Sequence, residues 1–81
     1  MRGWISSPSY RHVATVIAST RAASGLSQRE LARRLNTHPS VVAKIETGQR
    51  RLDVLEFIDI AHALGVEPDG LLARITSAPS E

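Results

Sequence analysis

The chain has few groups that could make or break covalent bonds. Its three histidines, His12, His38 and His62, are scattered, and no carboxylate joins them at a ligand spacing, so neither a metal site nor a cofactor is expected. Cysteine is absent, which excludes disulfides, thiol catalysis and thiolate metal sites. The serines fall mainly at caps and tails, none in a nucleophile elbow, and an enzyme is not expected. What remains is charge, and it is unevenly placed. Residues 1–51 carry nine Arg or Lys against two acids, and residues 52–81 carry one against six, so halves of +7 and −5 make up the net +2. A chain polarised in this way turns one face to a polyanion and the other away.

The elements that must position these charges all read as helices. No stretch alternates in the period of a strand, and no Asn-Gly or Asp-Gly hairpin turn occurs. A first helix opens at Ser7-Pro8, with Val13, Val16, Ile17 and Thr20 as its apolar spine, and stops at Gly25. Ser27 and Glu30 have the form of a capping box for a second helix, which runs to about Leu35 with Leu31, Ala32 and Leu35 inward. Pro39 starts a third helix with Val42 and Ile45 inward and a stop at Gly48. Asp53 with Glu56 caps a fourth, whose expected apolar stripe is Val54, Phe57, Ile58, Ala61 and Leu64, ended by Gly65. A fifth opens at Pro68 and holds Leu71, Leu72 and Ile75.

Eighty-one residues make one small domain. Residues 1–8 are expected to be an N-terminal arm, 9–75 the folded domain and 76–81 a flexible tail. No apolar run reaches the roughly 20 residues that span a bilayer, and no signal-peptide h-region opens the chain, so a cytoplasmic location is expected.

The second and third helices are joined by the tight turn Asn36-Thr37-His38. Leu31, Ala32 and Leu35 would lock against Val42 and Ile45, leaving an outer face with Pro39, Ser40, Ala43 and Lys44 to enter a groove about 12 Å wide. From Ile17 to Leu72 the chain resembles the Cro and phage-repressor, or XRE-like, helix-turn-helix regulators. The matching pieces are Ile17 with Arg21, Gly25-Leu26-Ser27-Gln28, Glu30-Leu31-Ala32, Val42 with Lys44-Ile45-Glu46, Gly48, Ile60 to Val66, and Leu71-Leu72. The resemblance implies an all-α, five-helix, lambda-repressor-like domain, with the helix-turn-helix in its second and third helices.

It also implies roles for individual residues. Pro39, Ser40, Val41, Lys44 and Arg50 would read bases, lysine favouring guanine O6 and N7 and Pro39 or Val41 touching thymine methyls. Ser27, Gln28, Thr37, His38, Thr47, Gln49 and Arg51 would meet phosphates. Arg21 and Glu46 would form a structural ion pair. Three departures from the pattern bear on specificity. Pro39 stands where many relatives carry a glutamine that pairs with adenine, Asn36 replaces the glycine of the turn, and His38 replaces a serine or threonine cap.

Trp4, Ile5 and Tyr10 precede the motif and are expected to fold over the first helix, with an arm exchanged between subunits as the alternative. Leu55 and Ile60 lie off the expected stripe of the fourth helix; with Leu71 and Ile75 they are candidates for a homodimer interface that spaces two reading helices one DNA turn apart. The expected function is a sequence-specific regulator, a repressor for preference, that binds double-stranded DNA of near-palindromic sequence as a homodimer in a bacterial cytoplasm or from a phage or plasmid. The alternative is an antitoxin-like module that holds a toxin or other protein partner and binds DNA secondarily. Arg29, Arg33 and Arg34 are read as a solvated helix face.

Overall fold

The computed structural model describes residues 8–77. The chain forms α1 (Pro8–Ala23), α2 (Gln28–Arg34), α3 (Pro39–Glu46), α4 (Val54–Leu64) and α5 (Pro68–Ser77), with no strand among the described residues. Helix α5 runs two residues past the expected start of the tail. The expected arm, with Trp4, Ile5 and the Ser7 cap, lies outside the described residues apart from Pro8, which begins α1; so does the tail beyond Ser77.

Caps set the boundaries. Ser27 Oγ accepts from the Glu30 N–H at 3.0 Å while Glu30 Oε1 accepts from the Ser27 N–H at 2.7 Å, and Asp53 and Glu56 repeat the arrangement at α4. Each box satisfies two backbone donors that a helix start leaves without partners. Helix α2 ends in a reversal in which the Asn36 and Thr37 N–H groups return to the Arg33 and Ala32 carbonyls at 3.1 and 2.9 Å. Asn36 holds φ 58° there, the left-handed region that asparagine tolerates better than most residues.

Ile17, Leu31, Ala32, Val42, Ile45, Ile60 and Leu64 form the main core, and Val16, Ala61 and Leu71 a second cluster between α1, α4 and α5. Thr20 is buried among them with its hydroxyl donating to the Val16 carbonyl at 2.7 Å. On α4 the buried face is Ile60, Ala61 and Leu64, flanked by half-buried Phe57; Val54, expected inward, is 73% exposed. These four positions are also three or four apart, and the core formed by α1, α2 and α3 selects this face over the neighbouring one. Ile60 and Leu71 are therefore corrected: at 2% and 0% exposure they belong to this chain's own core and cannot form a dimer interface. Leu72 is 51% exposed, because its neighbour Leu71 takes the buried direction about 100° away on the helix.

Candidate nucleic-acid interface

Two short helices carry the expected contacts, seven residues in α2 and eight in α3, lengths that are marginal in isolation. They are made rigid by packing and by one polar cluster. Arg21, in the last turn of α1, points its guanidinium at Glu46, the last residue of α3: Nε lies 2.6 Å from Oε2 and Nη2 3.1 Å from Oε1. Its Nη1 donates to the Leu26 carbonyl at 2.7 Å. Gln28 completes the cluster by donating from Nε2 to Glu46 Oε1 at 2.8 Å. Three elements thus meet on a carboxylate only 5% exposed, and the same bond holds the Arg21 guanidinium firmly in its charged form.

The cluster fixes the first turn of α2 beside α3. A primary amide has two N–H donors, so the bond to Glu46 orients the Gln28 side chain while leaving chemistry for a second acceptor. Ser27 is exposed at the same corner. Along α3, Val42 and Ile45 face the core while Pro39, Ser40 and Lys44 are exposed and Ala43 is half-buried. Pro39 occupies the first turn, where its missing N–H costs nothing, and His38 before it is extended, exposed, and makes no side-chain capping bond. Thr37 is half-buried in the turn. Val41 departs from the expected reading face. It is half-buried against the main core and lines a cleft towards α4 with Leu35, Ile45 and Leu52, which takes it off the outer surface.

Beyond α3 the chain turns at Gly48, whose φ of +80° favours glycine, and the Gln49 N–H returns to the Lys44 carbonyl at 2.8 Å. Thr47 and Gln49 are exposed, and Arg50 and Arg51 follow. Arg50, expected to read a base, makes a two-pronged ion pair with Glu56 of the α4 capping box, at 2.8 and 3.2 Å. That bond raises the Arg50 pKa and, with the Asp53 N–H, holds Glu56 below the ordinary carboxylate range. The Arg51 guanidinium lies over the Tyr10 ring, 4.7 Å from its centroid, and the Tyr10 hydroxyl donates to the Arg50 carbonyl at 2.6 Å. Partial burial raises the Tyr10 pKa.

Of the expected contacts, Ser27, Ser40, Lys44, Thr47, Gln49 and Arg51 are exposed and Gln28 is half-buried against Glu46; Arg51 lies over Tyr10 of α1, and Val41 packs towards the core. Three roles had no signal in the sequence. Tyr10 reaches across 40 positions, Glu56 was legible only as a cap, and Arg34, read as solvated, donates from Nη1 to the Ala63 carbonyl near the end of α4 at 2.8 Å. None of these pairings follows a helical period. Among the described residues, no group of three His, Cys, Asp or Glu could hold a metal ion, and no helix is long and apolar enough to cross a membrane.

A family model described as helix-turn-helix matches residues 17–71. The chain is 38% identical to an XRE-family like protein from Pseudomonas syringae pv. tomato str. DC3000, over 85% of this chain and 84% of that one, with a TM-score of 0.78. It is 33% identical to the restriction-modification controller protein C.AhdI from Aeromonas hydrophila, over 74% and 91%, with a TM-score of 0.69. The clp gene regulator ClgR from C. glutamicum shares the fold at 23% identity, over 85% and 90%, with a TM-score of 0.78. No curated protein matches.

Proposed function

The chain belongs to the XRE-type helix-turn-helix family of DNA-binding, non-enzymatic transcription regulators, and from that premise we propose that it is a repressor that binds a near-palindromic operator as a homodimer. The observation that carries this reading is the composition of one surface. The exposed side of α3 presents Ser40 and Lys44; at its last residue Gln28 is bonded to Glu46, and the exposed Arg51 follows beyond the turn at Gly48. Ser40 and Lys44, with Pro39 against a thymine methyl, are the proposed base readers. Ser27, Gln28, Thr37, His38, Thr47, Gln49 and Arg51 are the proposed phosphate contacts. Arg50 joins the readers only by exchanging Glu56 for the duplex, a surface ion pair whose loss costs about 0–1 kcal/mol.

Leu55, at 72% exposure, and the half-buried Ile75 support a second copy as partner, together with Leu72 and with Val54, which was expected inside. The similarity to a restriction-modification controller supports a role in regulating genes. Selection of bound duplexes from a random pool, then titration of the selected duplex at two salt concentrations, tests the reading. A two-fold-symmetric site bound at least about a thousand-fold better than random DNA is expected. Sequence-blind binding, together with co-purification of a second protein, would replace it with the antitoxin-like reading.

A further inference from the structure

We propose that Tyr10 is a positioning residue for DNA binding: it holds the Arg50–Arg51 segment against α1, so that the Arg51 guanidinium stands ready beside α3 for a backbone phosphate. The proposal rests on the DNA-binding reading and assigns α1 a part in it that the helix-turn-helix alone does not contain.

Two contacts on one side chain carry the inference. The phenol hydroxyl donates to the Arg50 carbonyl at 2.6 Å, which anchors the main chain, and the ring lies under the Arg51 guanidinium at 4.7 Å, which orients the side chain. The second distance is within the roughly 6 Å of a cation–π contact. Stacking engages the flat face of a guanidinium, whereas phosphate is met by N–H groups along its edge, so the two contacts are compatible in geometry. The segment is also held from the other side, where the Arg50 side chain is paired with Glu56 of α4.

The neighbourhood is consistent with a built contact. A Cβ placed on Gly48 would lie 3.7 Å from Arg11 Cγ, so the first turns of α1 run alongside the loop that leaves α3. In that loop, between α3 and α4, the Gln49 and Arg50 N–H groups bond back to the Lys44 carbonyl at 2.8 and 3.2 Å, and residues 51–53 that follow have no regular secondary structure. A long cationic side chain on such a loop loses rotamer freedom when it binds, and fixing it beforehand removes part of that cost from the binding step. Tyr10 does this from a distance in sequence, without touching the duplex.

The test is a double-mutant cycle on the full chain with a random-sequence duplex, since phosphate contact is blind to sequence. Binding is read by fluorescence anisotropy across a salt series, and folding by thermal melting. Tyr10→Leu is expected to weaken binding about five- to tenfold and to lower the slope of log K against log salt by up to about one. Tyr10→Phe, which keeps the ring and loses only the hydroxyl, is expected to lose about threefold while remaining folded. Arg51→Ala is expected to abolish the effect of both substitutions on binding. A merely structural role would shift the melting temperature and leave the salt slope and the Arg51 dependence untouched, which overturns the proposal. Wild-type binding with unchanged affinity in both Tyr10 variants overturns it too and spares the DNA-binding reading; failure of the wild type to bind any duplex overturns both.

Discussion

Replacing Glu46 by alanine removes the one acceptor on which α1, α2 and α3 converge. The carboxylate is 5% exposed and receives bonds from Arg21 Nε at 2.6 Å, Arg21 Nη2 at 3.1 Å and Gln28 Nε2 at 2.8 Å. Deleting one partner of a buried pair costs about 3–5 kcal/mol, because the other charge stays behind without compensation. Here Arg21 keeps 17% of its side-chain exposure and its 2.7 Å bond to the Leu26 carbonyl, so the loss should be smaller, about 2–4 kcal/mol. A domain of this length has only about 4–12 kcal/mol to lose. With about 4–8 °C per kcal/mol, the melting temperature should fall by about 8–32 °C, measured by far-ultraviolet circular dichroism at pH 7. Urea unfolding should show a lower midpoint with an unchanged slope. The double replacement Arg21→Met with Glu46→Leu should recover most of the loss, since it buries no lone charge. A melting temperature within about 2 °C of wild type for Glu46→Ala would refute the reasoning, for it would mean that solvent compensates Arg21 fully.

Lys44→Ala should cost about 1–3 kcal/mol, concentrated at one base pair, whereas Arg51→Ala should weaken binding to all sequences alike; titrations on the selected site and its single-base variants separate the two. Asn36→Ala should destabilise by about 1 kcal/mol because alanine pays more for a left-handed backbone, and Asn36→Gly should not, as denaturant midpoints will report. Acid should weaken the fold through its capping boxes. Glu30, through the Ser27 N–H, and Glu56, chiefly through Arg50, are held below the ordinary 4.5, so their stabilisation is present above that value and lost as pH falls through the lowered ones. Melting temperatures between pH 7 and pH 3 will follow it, and Glu56→Gln should flatten part of the decline.

Periodicity and caps made the helices legible, because Ser27, Asp53, Pro39, Pro68 and the glycine stops are local signals that need no tertiary information. The choice between two adjacent apolar faces on α4 was not legible. The expected stripe and the buried face share Phe57, Ala61 and Leu64 and both follow a helical period; whether Val54 or Ile60 turns inward is decided only by the shape of the remaining core. Ile60, one of the four residues of the expected dimer surface, was misplaced for this reason. On the reading side, the alternation of Val42 and Ile45 with Ser40 and Lys44 was visible in sequence. The supports behind it were not, since Tyr10 and Arg34 act at separations of 40 and 29 residues.

Helices α2 and α3 are too short to persist by themselves and owe their order to α1 and α4. The seat for the duplex therefore exists only while the whole domain is folded. A ligand that binds the folded state alone adds stability by mass action, about 2.7 kcal/mol at a hundred times its dissociation constant. Occupied molecules are thus shielded from proteases that attack unfolded chains, and vacant ones are more open to them. The number of sites in the cell then helps to set how long each copy of the protein survives.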